Sequence, residues 1–217
     1  MMTKIIIILF SMLIFACSQK DSYSVIDFFW PMKVGNKFFY NITSDNFQGT
    51  HIIEIIDISK NGEAILIVTK EDYDIISVPQ ASKYSINYKY VVWPDRNIIE
   101  KIELNSGEKN ILLKLPLKKG AKWSTEHYSK TVIYDEKNGK KEFPVKVLKG
   151  EGKIEDIKQL EIFDGKKYNC IVIGYYVEEE LLPKSIFCKG LGFVGALSPE
   201  HNEVKWVEKI HSIEMAK

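Results

Sequence analysis

The chain has 217 residues, 45% of them hydrophobic and 12% aromatic, so it holds enough apolar material for a substantial core. Its 30 basic side chains are balanced by 29 acidic ones. That balance argues against a nucleic-acid partner, which needs a positive excess to displace counterions.

The first element in chain order is a leader. Residues 5–16 are apolar except for Ser11 and follow a single Lys4. They are too short for a bilayer-spanning helix, which needs roughly 20 residues, and fit a secretory signal of residues 1–16 cut after Ala16. The stretch LIFAC that ends at Cys17 resembles the lipobox of bacterial lipoproteins. The resemblance implies that Cys17 is acylated and becomes the mature N-terminus. Residues 17–24 are polar and read as a tether, able to hold a domain about 20 Å from the membrane. Several acyl chains anchor stably where one alone is marginal. The expected location is an envelope membrane outside the cytoplasm. Ser18, in place of an Asp, points to the outer membrane or cell surface.

Residues 25–217 read as one domain. Residues 30–41, WPMKVGNKFFYN, are echoed at 115–126 by LPLKKGAKWSTE. In each, Pro31 or Pro116 fixes φ and Gly35 or Gly120 supplies a left-handed residue, so a tight turn followed by a strand is predicted twice. Phe38, Tyr40 and Ile42 would share one strand face, and Trp123, Thr125 and His127 the corresponding face of the second strand. Four more turns are marked by Asn61-Gly62, Ser106-Gly107, Asn138-Gly139 and Asp164-Gly165 between β-rich runs. In SKYSINYKYVVW, Tyr84, Ile86, Tyr88, Tyr90 and Val92 alternate with polar residues, the period of a half-buried strand. ILIV and CIVIGYY are apolar at every position and suit central strands. The C-terminal EVKWVEKIHSIE reads as a final strand. The expected fold is mainly β, with antiparallel hairpins forming a curled sheet, a sandwich or a partly open barrel.

Once Cys17 carries lipid, Cys170 and Cys188 are left as a pair that can oxidise outside the cytoplasm. Glycines 190, 192 and 195 match GxGxxG, but Ser198-Pro199 follows at once where a phosphate-binding helix would have to begin. His51 and Glu54, like His211 and Glu214, are three apart and point to opposite faces of a strand, so neither pair chelates a metal. His201 and Glu203 could share a face, but two ligands do not make a metal site. No GxSxG, HExxH or P-loop is present. Glu71, Asp72 and Asp74, and likewise Glu178, Glu179 and Glu180, are expected in solvated loops at strand ends. Tyr84, Tyr88 and Tyr90 form the remaining candidate site, either a core face or the lining of a hydrophobic ligand cleft.

PMKVGNKFFYN, LLKLPLKKGAKW, DGKKYNCIVI and IFCKGLGFV occur here in this order. In that order they resemble a group of bacterial lipoproteins that read PLKVGNxWxY, a second P-L-K-x-G-x-x-W, G-x-[FY]-x-x-C and G-[VL]-G-x-V. Phe38 stands where the group carries Trp, and Cys188 lies outside its pattern. The resemblance implies a lipid-anchored, β-rich module with no assigned activity. The expected function is a non-catalytic binding or structural module, with no cofactor and with the membrane and an envelope protein as partners. The alternative is a carrier or sensor of a hydrophobic ligand such as lipid. A hydrolase of envelope polymers ranks third.

Overall fold

A computed structural model describes residues 23–43, 47–77, 81–129, 132–135, 139–142, 146–178, 180–199 and 205–217. Cys17, His201, Glu203, Glu179 and Asn138 lie outside them. The described chain is almost entirely antiparallel β. A short 3-10 helix, Val25–Phe28, leads into strands β1 (Lys37–Thr43), β2 (Phe47–Asn61), β3 (Ala64–Ser77), β4 (Ala81–Trp93), β5 (Ile98–Glu103) and β6 (Lys109–Lys114). Next come β7 (Lys122–Ser129), the small hairpin β8 (Val132–Asp135) and β9 (Gly139–Glu142), and β10 (Lys146–Glu161). The chain closes with β11 (Lys167–Val177), β12 (Glu180–Leu181), β13 (Lys184–Cys188), β14 (Gly192–Leu197) and β15 (Trp206–Glu214).

One sheet runs β6-β5-β4-β3-β2-β1-β15-β14-β13-β11-β10-β7, with β12 paired to β11. The first six strands form a meander, and the last strand of the chain docks on the first. The sheet curls until its edge strands, β6 and β7, approach each other, which makes it a nearly closed barrel. Trp123 bridges that seam, its indole N–H donating to the Ile111 carbonyl at 3.2 Å. Residues 170–175 of β11 are buried at every position, as their continuous apolar run requires.

The two related phrases form matching turns, although the peptide bond before Pro116 is cis and that before Pro31 is trans. In the first turn Lys33 N–H donates to Pro31 O, Asn36 N–H to Lys33 O, and Gly35 N–H to Ile55 O. In the second, Lys118 donates to Pro116, Ala121 to Lys118, and Gly120 to Ile154. A β-bulge follows each receiving residue, between Ile55 and Asp57 in β2 and between Ile154 and Asp156 in β10. The register repeats as well. The row Phe38, Ile53, Glu71 across β1-β2-β3 corresponds to Trp123, Gly152, Tyr175 across β7-β10-β11. The chain therefore contains one architectural unit twice. Gly35 and Gly120 sit at φ +88° and +86°, where any Cβ is strained. Gly35→Val and Gly120→Val should each lower stability by about 1–3 kcal/mol, read as a shift of the urea midpoint at constant m.

The folded domain begins earlier than the sequence suggested. Tyr23 and Ser24, expected in the tether, belong to it. Ser24 Oγ accepts from Ile26 N–H at 3.4 Å while Asp27 reaches back to the Ser24 N–H at 3.1 Å, a capping box on the 3-10 turn. Tyr23 packs edge-on against Phe28. Behind them Val25, Phe28, Phe29 and Trp30 enter the core, with Phe29 and Trp30 both edge-on to Tyr90 of β4. Cys170 and Cys188 are direct partners on β11 and β13, fully buried, and joined as a disulfide. Glycines 190 and 192 form the β13–β14 turn with positive φ, and a strand follows them in place of a phosphate-binding helix.

Candidate functional site

On the inner wall, period-two alternation places Tyr40, His51, Tyr73 and Tyr84 in one row across β1 to β4. Their rings stack in sequence, with centroids 5.2, 4.1 and 4.9 Å apart. In the adjoining row Glu71 points inward from β3 and is completely buried. This corrects the expectation of a solvated carboxylate cluster. Asp72 and Asp74 do face outward, paired with Lys70 at 2.9 Å and Lys83 at 2.7 Å, but β3 continues to Ser77, so Glu71 falls on the core side of a strand interior. Glu178 and Glu180 are exposed.

Glu71 is the hub of a buried network. Its Oε1 accepts from the Tyr90 hydroxyl at 2.6 Å and its Oε2 from Tyr73 at 3.0 Å and the Lys101 ammonium at 3.1 Å. Lys101 is the register partner of Tyr90 on β5 and lies 3.6 Å above the Tyr88 ring centroid. His51 Nδ1 is 2.5 Å from Glu208 Oε1 of β15, so this nitrogen carries a proton. Its Nε2 stands 3.4 Å from Glu71 Oε2 without a hydrogen bond. A bare lone pair facing that carboxylate would be repelled, so Nε2 is protonated too. His51 is thus an imidazolium, and two carboxylates are matched by two cations.

Burial would raise the Glu71 pKa from the usual 4.5, but Lys101, His51 and the Tyr90 hydroxyl outweigh it and hold the value at about 2. Burial would lower the His51 pKa from 6.5, but the Glu208 and Glu71 carboxylates outweigh it and raise the value. The signs give a testable profile. A depressed acid stabilises the fold above its unfolded pKa and loses that contribution as pH falls. A raised base stabilises it below its unfolded pKa and loses that contribution as pH rises. Melting temperature should therefore be highest between about pH 4.5 and 6.5, falling toward pH 2 as Glu71 takes up a proton and above pH 6.5 as His51 gives one up. His51→Phe should flatten the alkaline arm up to pH 9.

The network borders a cavity of about 170 Å³. Phe29, Trp30, Ile53, Leu112, Phe187 and Phe193 supply its apolar surface, and His51, Glu71, Lys101, Ser185 and Glu208 its polar side. Trp30 Nε1 donates to the Tyr40 hydroxyl at 3.1 Å, and Tyr40 donates to the Phe193 carbonyl at 2.9 Å, which ties the N-terminal segment to the wall. Lys101 and Glu208 keep about a fifth of their side chains exposed.

The candidate tyrosines share one face of β4 but have different surroundings. Tyr90 is buried and lines the cavity, Tyr88 lies beneath Lys101, and Tyr84, 44% exposed, ends the ring stack. The sequence alone does not single out His51, Glu71, Lys101 and Glu208 as a set. The alternation Ile67, Thr69, Glu71, Tyr73 could have placed Glu71 inside, but Glu208 lies 157 residues from His51 and nothing local pairs them.

The repeat supplies an internal control. The row Tyr40, His51, Tyr73 corresponds to Thr125, Gly150, Val177, and Glu71 to Tyr175, whose hydroxyl donates to the Leu112 carbonyl at 2.6 Å. The second unit keeps the architecture with no charge at these places, so this strand arrangement forms without charged residues at the positions of His51 and Glu71.

No protein-family model and no curated protein sequence matches the chain. A solved structure from Bacteroides fragilis, that of a "putative exported protein with YmcC-like fold", superposes with a TM-score of 0.52 at 10% identity, over 87% of this chain and 100% of that one. A "putative lipoprotein" from Parabacteroides distasonis superposes with a TM-score of 0.49 at 12% identity, over 87% and 99%. The first likeness establishes a shared fold.

Proposed function

We propose that the protein is a lipid-anchored, non-catalytic binding module of a bacterial envelope, and that its ligand occupies the inner cavity. The observation that carries this reading is the charged set of His51, Glu71, Lys101 and Glu208 beside a cavity, where the second unit has the uncharged Gly150 and Tyr175 at the places of His51 and Glu71. Buried charge lowers stability relative to well-packed apolar residues, so charge at places where the same strand arrangement forms without it points to a ligand. A non-catalytic role fits because the ionisable groups hold one another: Glu71 is engaged by three close donors, and burial first, then Glu71, pushes the Tyr73 and Tyr90 hydroxyls far above their usual range.

The envelope location is supported by the leader and lipobox-like residues 1–17 and by the fold shared with a protein described as exported. The membrane is then one partner, reached through acyl chains on Cys17. Cys17→Ser should free the protein from membranes or leave its leader uncut. A variant that is cleaved normally and still sediments with membrane would contradict the anchor. A cavity of about 170 Å³ is on the scale that takes up a benzene-sized molecule, which favours a small ligand over a two-chain lipid at this site. Native mass spectrometry of protein extracted from its own envelope should show a small-molecule adduct. A bare mass after gentle extraction would count against the cavity.

A further inference from the structure

We infer that the cavity selects a small uncharged molecule with an apolar body and one hydrogen-bond acceptor, which accepts a hydrogen bond from His51 Nε2. The inference rests on the cavity reading above and adds the ligand's chemistry. The body would lie among Phe29, Trp30, Ile53, Phe187 and Phe193. Among the polar atoms of the network, Glu71 accepts from Tyr73, Tyr90 and Lys101, Lys101 is held by Glu71 and the Tyr88 face, and the near oxygen of Glu208 is held by His51 Nδ1. His51 is 4% exposed, stacked between Tyr40 and Tyr73, and its Nε2 is a buried atom without a hydrogen-bond partner on a side chain that lines the cavity. The Glu71 carboxylate 3.4 Å away neutralises the charge but leaves this N–H without a well-formed hydrogen bond, which is unfavourable, and an acceptor from a ligand relieves it. The two carboxylates already balance the two cations. An anion or a cation would unbalance them and lose its own hydration on entry, whereas a carbonyl, ether or hydroxyl oxygen would not.

The test uses four molecules of one shape, toluene, benzyl alcohol, benzoate and benzylammonium, titrated by NMR into the full chain carrying Cys17→Ser at pH 6. Benzyl alcohol should bind about fivefold tighter than toluene, the gain expected of one hydrogen bond. Both ions should bind at least about tenfold more weakly than the alcohol. In His51→Phe, which keeps the ring stack, the preference for the alcohol should disappear while toluene affinity stays within about twofold. Should that variant fail to fold, the four-ligand series on native His51 still decides. Toluene binding as tightly as the alcohol, or either ion matching it, would overturn the selection rule and leave the cavity as a binding site. Absence of binding by all four would overturn both.

Discussion

Glu71→Gln should lower stability by about 3–5 kcal/mol, the scale expected when one partner of a buried charge set is removed and the rest stays. The substitution keeps the side-chain shape, so the loss is electrostatic. Lys101 and His51 would face a neutral amide, and the Tyr73 and Tyr90 hydroxyls would compete for a single acceptor oxygen. Adding Lys101→Met should recover part of the loss, because the unmatched ammonium goes with it. A coupling of more than about 1 kcal/mol is expected between residues in direct contact. Urea unfolding of the two single variants and the double variant measures this. A Glu71→Gln loss below 1 kcal/mol, or simple additivity, would mean that the carboxylate is already protonated in the native protein.

Trp123→Ala should cost a similar amount, about 3–5 kcal/mol, for a different reason. The indole is 5% exposed and fills space that Gly152 leaves open: a Cβ at position 152 would stand 2.3 Å from the ring. It also carries the hydrogen bond to Ile111 that joins edge strand β7 to β6. Its loss would open a void and loosen the seam together. Changing Lys33, Lys37, Lys118 and Lys122 at once should leave the melt nearly unmoved, since these side chains reach solvent, exposed carboxylates or, for Lys33, the exposed Ala216 carbonyl. If instead the lysine changes moved the melt and Trp123→Ala did not, the two related phrases would be a surface platform and not strand-initiating turns.

Much of the fold was legible because β-structure writes local signals. The Asn-Gly and Asp-Gly turns, the alternation in β4 and the two Pro–Gly phrases each depend on a few adjacent residues. Phe38 and Trp123 could be read as inward anchors from the turn that precedes them. What the local signals could not carry is pairing between distant strands. His51 meets Glu208 because β15 docks on β1, and Glu71 meets Lys101 because β4 lies between β3 and β5. Glu71 was hidden for a second reason. Three acidic residues in four positions look like a loop, yet Asp72 and Asp74 point out while Glu71 and Tyr73 point in. Tyr23 and Ser24 were misplaced because a polar tether and a capping box use the same residue types.

The most direct measurement is a crystal structure of the protein isolated from its native envelope. Density for a small molecule should lie in the cavity between Trp30, Phe187 and Phe193, with its nearest polar contact at His51 Nε2. Side chains collapsed into that space, or ligand density only at the β6–β7 seam beside Thr125 and Lys149, would contradict it.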